Sequence, residues 1–227
     1  GCEESTTSDS VRTQGLYADM DVTSEVEGQS DVQVRLRVGG DNGTLVELVG
    51  GDKLIAHTTT ETKTLGAQGK SYTTTLNSDG GEVRIEFDRF QDDNAPDSNI
   101  TLPADFEITL PVNGDSFAYT ETVSVNWLNQ TVDNTAGTLD YWVRINCDGE
   151  TYTQSFSTRD NIESGSLSLP VASIMEGGPQ LLEYPGGCDA TLYVRLNING
   201  SIDSAFGEGG SFNGSTRRSV DFRITPS

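Results

Sequence analysis

His57 is the only histidine in the 227 residues, within Leu54-Ile55-Ala56-His57-Thr58-Thr59-Thr60. Ser-His-Asp or Cys-His catalysis would have to pass its proton through this one side chain, the type that changes charge near neutral pH. No Gly-x-Ser-x-Gly elbow, Ser-x-x-Lys pair or His-Glu-x-x-His helix accompanies it, so His57 reads as a strand histidine and no residue is assigned a catalytic role. Gly69-Lys70-Ser71 copies the end of a phosphate-binding loop. The position of the first glycine is held by Thr64, however, and a strand rather than a helix is expected at Tyr72–Leu76. Without a helix N-terminus there is no cradle of N–H donors, and a hairpin turn is the better reading.

The densest set of oxygen ligands is Asp88, Asp92, Asp93 and Asp97, with Asn94 and Pro96 among them. Calcium takes six to eight oxygens, so this turn is the candidate Ca2+ site, although EF-hand spacing is absent and an unliganded acidic turn is the alternative. With 35 acidic residues a glycosidase pair has many candidates, and nothing in the order of residues singles one out. For ligand binding the usable feature is aromatic. Trp142 alternates with Tyr141 and Val143 and should lie opposite the core face, where Trp142 and Tyr141 could stack a pyranose or a peptide proline; burial at a domain junction is the other reading.

These side chains must be positioned by strands, because period-2 alternation dominates the chain. Leu16, Ala18, Met20 and Val22 alternate with polar or half-polar neighbours, and so do Val32, Val34, Leu36 and Val38. Further strands are expected at 44–49, 53–58, 72–76, 83–90 and 106–110, and then at 122–127, 139–147, 152–157, 166–169, 190–198 and 219–224. Asn42-Gly43, Asp79-Gly80, Asn113-Gly114, Asp148-Gly149, Asn199-Gly200 and Asn213-Gly214 read as turns. Only residues 171–176 suggest a helix, a short one between Pro170 and Gly177-Gly178. Val34-Arg35-Leu36, Val143-Arg144-Ile145 and Val194-Arg195-Leu196 each lead toward a glycine, an echo that duplication or convergence explains equally well. Three segments follow: a flexible tether over 1–13, a sandwich over 14–111, and a second sandwich over 112–227, divided near Pro111.

Fourteen basic against 35 acidic residues give a formal charge of −21, spread over both halves. That field repels polyanions and anionic lipid surfaces, and no basic block is present to neutralise phosphates, so nucleic acid is not an expected partner. No apolar run reaches the length of a membrane span. Three cysteines leave one over. Gly1-Cys2 followed by Glu3-Glu4-Ser5-Thr6-Thr7-Ser8-Asp9-Ser10 resembles the end of a bacterial lipobox, which implies lipidation of Cys2 and a polar tether behind it. Glu at positions 3 and 4, where the resemblance would place Asp for inner-membrane retention, implies the outer membrane. Membrane contact is then expected only through the lipid. Cys147 and Cys188 remain as a pair closing a loop of about 40 residues, a cross-link worth about 4 kcal/mol that needs an oxidising compartment.

Val123, Val125 and Trp127 share one face, and Tyr141, Val143, Ile145 and Cys147 share another. A buried Trp beside a disulfide that ties two sheets is similar to an immunoglobulin-like core, with the Trp twenty positions before the first cysteine rather than between the two. Together with the tether, the stretch Ala95-Pro96-Asp97-Ser98-Asn99-Ile100-Thr101-Leu102-Pro103-Ala104-Asp105-Phe106 and the entry Ile108-Thr109-Leu110-Pro111, the chain resembles lipoproteins of Gram-negative bacteria built from tandem immunoglobulin-like β-sandwich domains. The expected fold class is therefore all-β, two antiparallel immunoglobulin-like sandwiches in tandem. The resemblance brings no activity with it. The leading expectation is a non-catalytic interaction or structural module of the cell envelope, periplasmic or at the cell surface, with an envelope protein or glycan as partner. The alternatives are a carbohydrate-binding module and a hydrolase with an acidic or calcium-dependent site.

Overall fold

Alternation along the chain has a direct counterpart in the computed structural model, which describes residues 5–103, 106–128, 137–156 and 165–226. Among these residues the fold is nearly all β, arranged as facing sheets. The chain packs into two compact units, residues 1–102 with 198–216 and residues 103–197 with 217–227.

In the first unit Leu16–Ser24 and Ser30–Val38 pair antiparallel, from Leu16 opposite Val38 to Thr23 opposite Asp31. Their inward residues Leu16, Ala18, Met20, Val22, Val34 and Leu36 are wholly buried, as a two-residue period with one dry face requires. Ser30–Val38 also pairs with Ser71–Leu76 along its first half and with Thr44–Glu47 at its end. Gly66–Gln68 folds back on Ser71–Leu76, so Gly69-Lys70 is the hairpin turn expected of it. The facing sheet runs Ala95–Leu102, Gly81–Asp88, Lys53–His57, Thr62–Thr64. It supplies Leu54, Ile85, Phe87 and Leu102 to the core.

A late segment completes this unit. The strand Gly210–Thr225 pairs its first seven residues in parallel with Leu16–Ser24, Gly210 opposite Ala18 through Thr216 opposite Ser24. Phe206 stacks on Phe87 with centroids 6.1 Å apart and planes 7° from parallel. A Cβ on Gly210 would lie 2.1 Å from the Ala18 carbonyl oxygen, and one on Gly214 would lie 2.7 Å from methyl groups of both Ile100 and Leu102. Asn213-Gly214 is therefore mid-strand and not a turn: glycine is required there by close packing of the two sheets. Ser5–Thr7 with Thr44–Glu47, and Asp115–Ala118 with the end of Gly210–Thr225, are also parallel pairs, so the sheets are mixed rather than purely antiparallel.

Residues 5–13, expected in the flexible tether, are structured. They form the strand Ser5–Thr7 and tight turns at Ser8–Ser10 and Thr13–Gly15. Their polar composition does not prevent order because Arg89, with 2% of its side chain exposed, supplies partners. Its guanidinium donates to the carbonyls of Ser8 (2.6 Å) and Val11 (3.0 Å) and to the Thr13 hydroxyl (3.2 Å), and pairs with Asp52 at 3.1 Å. Cys2 lies outside the described residues.

In the second unit one sheet runs Asp115–Ala118, the last part of Gly210–Thr225, Cys188–Asn199, Gly137–Cys147, Glu150–Ser155. The other runs Glu107–Leu110, Thr122–Leu128, Gly165–Pro170. Val123, Val125, Val143, Ile145, Leu192, Val194 and Leu196 are wholly buried, and Trp127 is 3% exposed. Asp148 and Gly149 take positive φ (50° and 94°) in the two-residue turn joining Gly137–Cys147 to Glu150–Ser155, as the dipeptide demands. The helix is shorter than expected, Val171–Ile174. Cys147 and Cys188 are bonded, with Cα atoms 4.5 Å apart. The bond ties the last residue of Gly137–Cys147 to the first of Cys188–Asn199, neighbouring strands of one sheet, and not two sheets as the immunoglobulin-like reading anticipated.

Candidate functional site

Even-numbered residues of Gly137–Cys147 and odd-numbered residues of Cys188–Asn199 point away from the core, as their burial pattern records. The contacts Asp140 with Arg195, Trp142 with Tyr193 and Cys147 with Cys188 advance along one strand as they retreat along the other, which fixes an antiparallel register and sets outward side chains opposite one another. Trp142 and Tyr193 are stacked, centroids 5.2 Å apart and planes 11° from parallel. The Arg195 guanidinium lies 5.5 Å from the Trp142 ring centre, and those of Arg144 and Arg217 lie 5.7 and 5.5 Å from that of Tyr193. Asp140 accepts hydrogen bonds from Arg195 (2.9 Å) and from the Asn197 amide (2.8 Å). Among the described residues no carboxylate forms an ion pair with Arg144, whose fork of donors faces solvent beside Tyr193.

This arrangement changes what Trp142 can do. The residue is outward, as alternation predicts, but its ring is stacked with Tyr193 and covered by Arg195, so an open aromatic platform for a sugar ring is replaced by ring edges and guanidinium donors. Tyr141 lies on the opposite face, stacked with Phe156 at 5.4 Å, and does not join Trp142 in one site. Tyr193 was not singled out by the sequence. The signal available was Tyr193-Val194-Arg195, which repeats the order of Trp142-Val143-Arg144.

The carboxylates of the acidic turn face separate partners. Among the described residues no group of three His, Cys, Asp or Glu side chains is arranged to hold a metal. Asp92 accepts the Thr13 N–H at 2.6 Å and lies 3.5 Å from Arg89, and the Thr13 contact holds its carboxyl below the usual carboxylate range. Asp88 accepts from the Asn94 amide (3.4 Å), and the Asp97 N–H donates to Asp203 (2.7 Å). The physical reason is that Asp92 is spent on anchoring the N-terminal turn while its neighbours face other partners.

His57 sits 2.8 Å from Glu86 through Nε2 and 3.2 Å from the Thr62 hydroxyl through Nδ1. This joins a hydroxyl, an imidazole and a carboxylate on a strand surface where His57 and Glu86 are half-buried. On the outer face of the first unit Asp21 is raised above the ordinary carboxylate range, by burial first and by neighbouring Asp19 second, with Arg35 between the two carboxylates at 3.8 and 3.9 Å. The Val-Arg-aliphatic echo thus places Arg35, Arg144 and Arg195 on outward positions, the first against acids, the second against a ring and the third against both.

The disulfide is consistent with an oxidising, extracytoplasmic compartment. No described helix is long and apolar enough to cross a membrane. No protein-family model and no curated protein matches the chain. Among solved structures it is similar to the fibronectin(III)-like modules of Clostridium thermocellum CbhA, at 10% identity over 92% of this chain and 90% of that one, with a TM-score of 0.27. A marsupial T cell receptor matches at 11% identity over 92% and 71%, TM-score 0.27. The two tandem V-type regions of VCBP3, a v-region-containing chitin binding protein, match at 8% identity over 92% and 99%, TM-score 0.21. At these scores the likenesses carry no argument about ligand or activity, and the fold stands on its own strands and layers.

Proposed function

We propose that the chain is a non-catalytic, exported binding module, moored at the bacterial envelope through Cys2, that meets its ligand on the outward face of the second unit. One observation carries the reading: the Trp142–Tyr193 stack is interleaved with Arg144, Arg195 and Arg217 on a solvent-facing sheet, and among the described residues no carboxylate pairs with Arg144. Buried rings stabilise a core, whereas rings and guanidiniums on a wet face offer planar donors to hydroxyl or carboxylate groups. An envelope glycan satisfies that chemistry best. The disulfide supports export, and the lipobox resemblance supports the mooring.

Glycan-array and calorimetric binding of the wild type, Trp142→Ala and Arg144→Gln tests the site. A ligand weakened about tenfold by either substitution supports it, since Trp142→Ala removes the ring that holds Arg195 and Tyr193 in place, Arg144→Gln removes a charged donor, and one such contact is worth about 1–2 kcal/mol. Binding that survives the double variant would overturn the assignment, as would a hydrolytic activity abolished by His57→Ala. Membrane fractionation of the wild type and Cys2→Ser tests the mooring, with release of the variant into the soluble fraction expected.

A further inference from the structure

We propose that a groove in the second unit, formed by Tyr119, Met175, Pro179, Leu181, Leu182 and Pro226, docks a cationic peptide segment of a partner protein that inserts an apolar side chain. It goes beyond the Trp142–Tyr193 face and shares no residue with it. The groove has a volume of about 590 Å3. Its shape follows from the tight turn Leu181–Glu183: Leu181 is 6% exposed and anchors the turn inward, which turns Leu182 out to 87% exposure, beside Tyr119 at 43%. An isolated exposed leucine is ordinary, but one joined to a tyrosine and two prolines around a concavity is an apolar patch with a shape to match.

The groove is held in place. The Tyr152 hydroxyl donates to the Glu176 carbonyl at 2.6 Å, and a Cβ on Gly178 would meet the Tyr152 ring at 2.7 Å, so the loop 176–178 is pressed directly against that ring. A preformed pocket loses little freedom on binding.

Charge decides the occupant. Glu176 lines the groove and Glu183 ends its turn, both exposed. Beside them the Tyr184 hydroxyl donates to Glu150 at 3.1 Å, and its pKa is raised by that bond first and by the nearby charges of Glu150, Glu183 and Asp148. The guanidinium that reaches this loop, Arg223, is paired with Asp189 at 2.6 Å and with the Gly186 carbonyl. The surrounding field is therefore negative, within a chain of charge −21. A second copy of the chain or an anionic lipid surface would be repelled, while a segment with Lys or Arg flanking a Leu or Phe is drawn in and then buries its apolar residue.

The test is fluorescence anisotropy on the full chain with labelled peptides of about eight residues, alternating Lys with Leu, Lys with Ser, and Glu with Leu. The Lys/Leu peptide should bind at least about tenfold tighter than Lys/Ser, and Glu/Leu should not bind. Leu182→Ser, a surface change that leaves the fold intact, should weaken Lys/Leu about tenfold, and Tyr119→Ala should do the same. Glu176→Gln with Glu183→Gln should weaken it and flatten its salt dependence. Equal binding of Lys/Leu and Lys/Ser, or an affinity unmoved by Leu182→Ser and Tyr119→Ala, would show diffuse electrostatic attraction and overturn the proposal.

Discussion

Arg89 shows how much one side chain can organise. It is buried against Asp52, whose side chain is 4% exposed, and it satisfies two carbonyls and a hydroxyl of the N-terminal turns. Arg89→Ala would leave Asp52 as a buried, unpaired charge and release residues 8–13, so a loss of about 3–5 kcal/mol in chemical denaturation is expected, with faster amide exchange in that segment. None of this was legible in the sequence, because Ser8, Val11 and Thr13 lie 76 to 81 positions from Arg89. Asp21 gives a pH signature of the opposite sign to a usual salt bridge. Its folded pKa is raised, so the stability it contributes is fully present below the unfolded value of about 3.9 and is lost as pH rises through the folded value. Asp21→Asn should therefore be more stable than the wild type at pH 7, and the difference should close as pH falls below about 4, a comparison of two melting curves at each pH. The lowered Asp92 works the other way, losing its contribution as pH falls through its folded pKa.

Among the elements, strands with clean alternation were readable nearly to the residue: 16–22 and 32–38 fall within Leu16–Ser24 and Ser30–Val38, and 139–147 within Gly137–Cys147. The outward placement of Trp142 was legible for the same reason, whereas its partner Tyr193, on a strand some fifty positions later, was not. Ala95–Leu102 and the first half of Gly210–Thr225 were missed because Pro96 and Asn213-Gly214 are turn formers in isolation. Tertiary packing overrides that preference where no side chain fits. The two glycines differ in what they meet, and this gives a graded test. Gly210→Ala drives a Cβ into backbone, the Ala18 carbonyl oxygen, whereas Gly214→Ala meets the mobile methyl ends of Ile100 and Leu102. Thermal denaturation should show Gly210→Ala as the more costly, by about 1–3 kcal/mol, because backbone yields less readily than a rotamer.

For the whole molecule, the expected division near Pro111 and the packed units differ in a checkable way. A fragment of residues 14–111 lacks the segment 198–216 that pairs with Leu16–Ser24 and covers Phe87, Ile100 and Leu102. It should be collapsed or aggregated in solution, with poor chemical-shift dispersion, and joining 198–216 to it through a flexible linker should restore a cooperative transition. Composition and turn signals could not reveal this, since what unites 18 with 210 is a parallel register across 192 positions rather than any local pattern. The same long return has a consequence for biogenesis. During synthesis the strand Leu16–Ser24 emerges 192 positions ahead of the neighbour it pairs with, so its free edge stays unpaired until residues 210–216 have been made, an interval in which the first unit is open to mispairing.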